Sequence, residues 1–159
     1  MKILVIAPHP DDELLGCGGT LLRRKSEGAT LGWVIMTKIS EDYGWSTENV
    51  RERENEIEQV RKRLGIKPEH LFQLGFATTR LDTISMGDLI AKVSEVFQSF
   101  QPEEVLTQTV ERTDPDSLLV VGDREESIAA AVVSNYMEKL VIYICGGDQV
   151  YGNADDPVR

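Results

Sequence analysis

Histidine and cysteine are scarce in this chain, with two of each in 159 residues. Cys17 and Cys145 stand far apart, which excludes a disulfide framework and suits a reducing cytoplasm. Cations are outnumbered, 17 Lys and Arg against 27 Asp and Glu, and the net charge of −10 excludes a nucleic-acid backbone binder, which needs clustered Lys and Arg. No apolar run approaches the ~18 residues of a membrane span, so no transmembrane segment is expected. The first residues enter a strand without a basic leader or cleavage site, so no secretory signal is expected either. Repeats, Gly/Ser linkers and low-complexity tracts are also missing. What is there is ordinary for a globular protein, 41% hydrophobic and 28% charged, in a length that makes one domain with a real core. The expected partner is a small molecule.

Residues 3–20 organise the rest. Ile3, Leu4, Val5, Ile6 and Ala7 form a short apolar run rich in β-branched residues, the pattern of a strand buried on both faces. Pro8 and Pro10 end it, because neither offers a backbone N–H to a neighbouring strand. His9, Asp11, Asp12 and Glu13 follow, and a helix is predicted over 14–28, with Gly16, Gly18 and Gly19 implying close packing near its start. An imidazole and three carboxylates thus lie on the loop leaving the carboxyl end of a buried strand, where open α/β sheets bind ligands. Imidazole and carboxylate both ligate Zn²⁺. His9 and Asp12, three apart in a Pro-stiffened loop, can face one ion together. Asp11 between them can face a water whose pKa a divalent ion lowers toward ~7, and can take its proton. The plainer alternative is that Asp11, Asp12 and Glu13 only cap the helix and complement its dipole.

Ala7-Pro8-His9-Pro10-Asp11-Asp12-Glu13, followed by Leu15-Gly16-Cys17-Gly18-Gly19-Thr20, resembles the opening signature of the LmbE/PIG-L family. Those proteins are zinc-dependent de-N-acetylases of N-acetylglucosamine-type sugars on a Rossmann-like sheet, and the resemblance covers about residues 1–106. It implies His9 and Asp12 as zinc ligands and Asp11 as the general base. It also implies a substrate-binding arginine at Arg53, whose spacing to Glu56, Val60 and Leu64 is similar to the family's.

Along the chain, a buried strand is predicted over 30–37, then a polar loop over 38–45. There Tyr43 and Trp45 are an aromatic pair that either lines a sugar site or covers the core. Thr47 is the expected cap of a helix that Gly65 ends. Its charged residues form a solvated face, with Val50, Ile57, Val60 and Leu64 as the apolar stripe. A strand is predicted over 70–75. His70 at its start lies at the edge away from the site and is structural, while Arg80 and Asp82 beyond its end are within reach of the site. A helix over 86–100 and a strand over 104–107 follow.

After residue 106 the family's His-x-Asp-His loop, which carries its third ligand, has no counterpart. The chain reads Gln108-Thr109-Val110-Glu111-Arg112-Thr113-Asp114-Pro115 instead, which leaves Asp114, Asp116 or a water as the alternatives for a third ligand, none of them carried by a motif. Residues 113–159 are similar to the hydrolysing UDP-N-acetylglucosamine 2-epimerases, through Gly122-Asp123-Arg124 and a closing acidic-x-x-Arg segment. That resemblance implies Asp123, Asp148 and Asp156 as site carboxylates, Asp123 being a substrate-binding candidate. Strands at 118–121 and 140–144 are apolar enough to need cover on both faces. The segment 107–159 is therefore expected to continue the sheet of residues 1–106, as part of one domain.

The predicted fold class is α/β, a Rossmann-like three-layer α/β/α arrangement with a mostly parallel sheet of about five or six strands. The predicted function is zinc-dependent deacetylation of an N-acetylated sugar or nucleotide sugar. A partial epimerase unit and a non-catalytic sugar- or metal-binding relic are the competing readings.

Overall fold

The computed structural model describes residues 1–107, 117–121 and 140–144. Strand β1 (Lys2–Ala7) leads into helix α1 (Asp12–Ser26), and β2 (Thr30–Lys38) into α2 (Thr47–Leu64). Strand β3 (Leu71–Ala77) is followed by α3 (Met86–Phe100) and β4 (Glu104–Thr107). These four strands make one sheet in the order β3-β2-β1-β4, and every pairing is parallel.

Alternation along the strands sets the layers. Ile3, Val5, Leu31, Trp33 and Ile35 point to one face, where Cys17 and Leu21 of α1 and Ile57 and Leu64 of α2 meet them. Leu4, Ile6, Val34 and Met36 point to the other, against Leu89, Val93, Phe97 and Phe100 of α3. Both faces of β1 and β2 are therefore dry, as continuous apolar runs require. Each fully buried Leu or Ile stabilises by roughly 1.5–3 kcal/mol. Gly32 allows the closest approach: an added Cβ would lie 2.9 Å from the Phe100 ring.

Consecutive strands run outward from β1 to β2 and β3, and the chain then returns over α3 to lay β4 on the other side of β1. The order reverses at β1, so the loop leaving it opens at the switch point of the sheet.

Several expected boundaries move. Helix α1 starts at Asp12, so two acids lie in its first turn. Its packed face is carried by Cys17 and Leu21, and among the described residues nothing lies within 4 Å of a Cβ added at Gly19, so the close packing expected at the glycines is not seen there. Ser46, not Thr47, caps α2: its extended backbone lets the side chain accept from the Asn49 N–H at 3.1 Å. Strand β3 runs on through Gly75, which takes φ 76° in an irregularity that shifts the β2–β3 register between Ile35 and Thr37.

Strands β5 (Ser117–Val121) and β6 (Leu140–Ile144) pair with one another in parallel, as a separate two-stranded sheet. The expected sheet of five or six strands is thus a four-stranded and a two-stranded ladder among the described residues. Parallel neighbours need a crossover of a dozen or more residues, and residues 122–139 supply that length. Residues 127–137, which the sequence predicts as a helix, lie outside the described residues.

Candidate active site

The β1–α1 loop is held by its backbone. The Pro8 carbonyl accepts two hydrogen bonds from Thr37 of β2, one from its N–H at 3.0 Å and one from its buried hydroxyl at 2.8 Å. The His9 carbonyl accepts from the Asp11 N–H at 3.0 Å, turning the chain sharply into α1. Asp12 folds back on the loop: its Oδ2 accepts from the His9 N–H at 2.9 Å and lies 3.4 Å from the His9 Nδ1. The two expected ligands therefore face one another across a single turn at the carboxyl edge of the sheet, with Asp12 buried and His9 one-third exposed.

Asp11 occupies the N-cap position of α1, yet its side chain makes no capping hydrogen bond. Its carboxylate is exposed and lines a cleft of about 440 Å³, together with His9, Asp12 and Arg53. The capping alternative therefore does not account for Asp11. Arg53 reaches the loop from α2, its Nη1 donating to the Pro10 carbonyl at 3.2 Å while its Nε lies 3.6 Å from Glu56. His9, Asp11, Asp12 and Arg53 thus share one cleft, and Asp123, Asp148 and Asp156 lie outside the described residues.

Glu13 is a group whose state the sequence does not reveal. It is 1% exposed, and neither carboxylate oxygen has a hydrogen-bond partner among the described residues. Burial pushes its carboxyl up to about 7. Its own backbone N–H pulls the other way without making a hydrogen bond of proper geometry. Repulsion from Asp11 and Asp12 adds to the rise, and Arg53 opposes it.

Other walls come from the next two strand ends. Trp45, on the loop after β2, lines the cleft; of the expected aromatic pair, Tyr43 is not among its lining residues. Thr78 and Thr79 after β3 line it too, whereas Arg80 and Asp82 do not. Thr79 carries φ 61°, an uncommon backbone state for a β-branched residue, and no sequence signal marks it. His70 stands at the opposite edge of the sheet with its ring edge-on to Phe100 at 5.0 Å, the structural place expected of it.

A metal's donors are partly in place. Imidazole and buried carboxylate are the right chemistry for Zn²⁺, and they converge on one turn beside the Asp11 carboxylate. Among the described residues no third His, Cys, Asp or Glu completes a metal-holding group, and Asp114 and Asp116 lie outside those residues.

A family model described as PIG-L, GlcNAc-PI de-N-acetylase, matches residues 4–119. The chain belongs to the PIG-L family. The PIG-L match runs past residue 106, where the deacetylase resemblance was expected to stop, and takes in β5 as far as Leu119. The expected similarity of residues 113–159 to the epimerases gains no support from these relatives. "Uncharacterized deacetylase YaiS" of Escherichia coli is 31% identical over 103 residues, 65% of this chain and 52% of that protein. "Probable N-acetyl-alpha-D-glucosaminyl L-malate deacetylase 2" of Bacillus cereus is 27% identical over 112 residues, 66% of this chain and 50% of that protein. The chain thus spans about half the length of the curated relatives it matches. Among solved structures, the N,N'-diacetylchitobiose deacetylase of Pyrococcus horikoshii superposes with a TM-score of 0.65 at 24% identity, over 86% of this chain and 49% of that one, and shares its fold. No helix among the described residues is long and apolar enough to cross a membrane.

Proposed function

We propose that this chain carries the metal-holding and proton-transfer part of a hydrolase that removes the acetyl group from an N-acetylglucosamine-type sugar. The observation that carries the reading is the turn after β1, where His9 and Asp12 face one another while Asp11 leaves its helix uncapped and turns to the same cleft. The PIG-L family is generally metal-dependent. His9 and Asp12 are the residues that would hold Zn²⁺ here. The ion, when bound, supplies Lewis acidity toward the acetyl carbonyl and lowers the pKa of water toward ~7.

The chain's own residues do the rest. Asp11 accepts a proton from water as the water oxygen adds to the acetyl carbonyl carbon. When the C–N bond breaks, that proton goes to the departing nitrogen, leaving acetate and a free amino sugar. Arg53 lies on the cleft wall within reach of the sugar's oxygens, and its bond to the Pro10 carbonyl ties α2 to the catalytic turn.

The test combines metal content with turnover. Two protein ligands are fewer than the three usual in catalytic zinc sites, so zinc affinity is expected to be weak. His9→Ala and Asp12→Ala should each abolish retention of zinc, measured by elemental analysis after chelator-free purification. Asp11→Asn should keep the metal and lose about 10²–10⁴-fold in deacetylation of N-acetylglucosamine, because an amide cannot take the proton. Tight stoichiometric zinc in His9→Ala, or undiminished turnover in Asp11→Asn, refutes the assignment.

A further inference from the structure

We infer that Trp45 is the platform on which the pyranose ring of the substrate lies, which makes it the specificity-determining residue of the cleft. The inference rests on the sugar-deacetylase reading above and extends it to the part of the substrate that does not react.

The two tryptophans of the chain have opposite surroundings. Trp33 is fully buried within the α1–α2 face of the core. Trp45 is 42% exposed and belongs to neither apolar cluster, so it is not a lid on the core. Its indole lines the cleft that holds Asp11 and Asp12. A large aromatic side chain left half in water at the wall of a reactive cleft retains an apolar face for a ligand to cover.

The main chain that carries that face is held on both sides. A short 3₁₀ turn, Glu41–Tyr43, precedes it, and Gly44 follows at φ 86°, where a side chain would be strained. The Ser40 carbonyl accepts from both the Tyr43 N–H at 3.0 Å and the Trp45 N–H at 3.3 Å. On the other side the very next residue, Ser46, caps α2. The main chain that carries the indole is thus held between a closed turn and a helix start, so little backbone ordering remains to be done on binding.

The remaining walls match the two sides of a sugar ring. A pyranose presents a face of C–H groups, which packs on an aromatic surface, and a rim of hydroxyls, which needs polar partners. Leu15 and Val50 add apolar surface to the same cleft, while Gln73, Thr78 and Thr79 supply amide and hydroxyl groups. An acyclic N-acetylated amine would use Asp11 equally well and would gain nothing from the indole.

The experiment is a fluorescence titration of the full chain with N-acetylglucosamine, read beside steady-state kinetics. The expected result is a saturable emission change that disappears in Trp45→Phe, where buried Trp33 is the sole remaining indole. In the kinetics, Trp45→Ala should raise KM for N-acetylglucosamine about tenfold with kcat within about twofold, the order expected for losing one aromatic contact. Trp45→Phe should restore most of that loss, and KM for N-acetylethanolamine should not move. No saturable change in the parent protein, an undiminished change in Trp45→Phe, or a fall in kcat without a rise in KM each overturns the inference. Absence of turnover in the parent protein counts against the deacetylase reading and leaves the titration to decide the role of Trp45.

Discussion

A carboxyl group sealed from water gives up its proton late, and Glu13 does so at about 7 because of its burial. The sign of its effect on stability follows. Below the ordinary glutamate value of 4.5 the folded and unfolded chains both hold this proton, and the group contributes nothing. Between 4.5 and about 7 the unfolded chain releases it while the folded chain does not, so stability falls as pH rises, and above 7 the whole penalty is present. Glu13→Gln should therefore match the parent protein near pH 4 and exceed it at pH 8 by roughly 3 kcal/mol at most. Thermal unfolding of chelator-treated protein at the two pH values checks this, and an equal gain at both would remove the buried charge as its cause. Nothing in the sequence distinguishes Glu13 from Asp12 beside it, since acids suit a helix start whether they are wet or dry. His9 and Asp12 were legible because their partnership is local, three residues apart in one turn. Trp45 was legible only as one of two alternatives, a wall of the site or a cover for the core, and Thr79 was not legible at all, because no residue type announces its positive φ.

The start of α2 shows how far element boundaries can be read. Ser46 and Thr47 are both good caps by residue type, and only the backbone decides between them. Ser46 is extended and its side chain accepts from the Asn49 N–H, so Ser46→Ala should cost about 1 kcal/mol while Thr47→Ala should cost little. Urea unfolding of the two variants checks this, and the reverse ranking would place the cap at Thr47. Boundaries marked by proline or by a clean apolar run, such as those of α3, β4 and β6, were legible to the residue. Strand β3 was not, because Gly75 reads as a strand end whereas its positive φ only inserts a bulge, and pairing resumes at Phe76.

At the scale of the molecule, the alternation of strands and helices made the parallel three-layer fold legible, and the four-stranded order adds the switch point at β1. The pairing of β5 with β6 was not legible, since apolar strands do not name their neighbours. Leu118, Leu119, Val120 and Val121 in β5 are apolar, as are all residues of β6 except Tyr143, and a two-stranded ladder is marginal in water. A peptide of residues 107–159 should therefore show no cooperative thermal transition by circular dichroism, and a sharp two-state transition would establish it as a domain of its own. The double bond from Thr37 to the Pro8 carbonyl has a consequence for motion as well as for shape. The Thr37 amide proton can exchange with solvent only when that carbonyl lets go, and the same carbonyl begins the turn that carries His9 and Asp12. Its hydrogen-exchange rate is therefore a gauge, built into the neighbouring strand, of how often the β1–α1 turn opens.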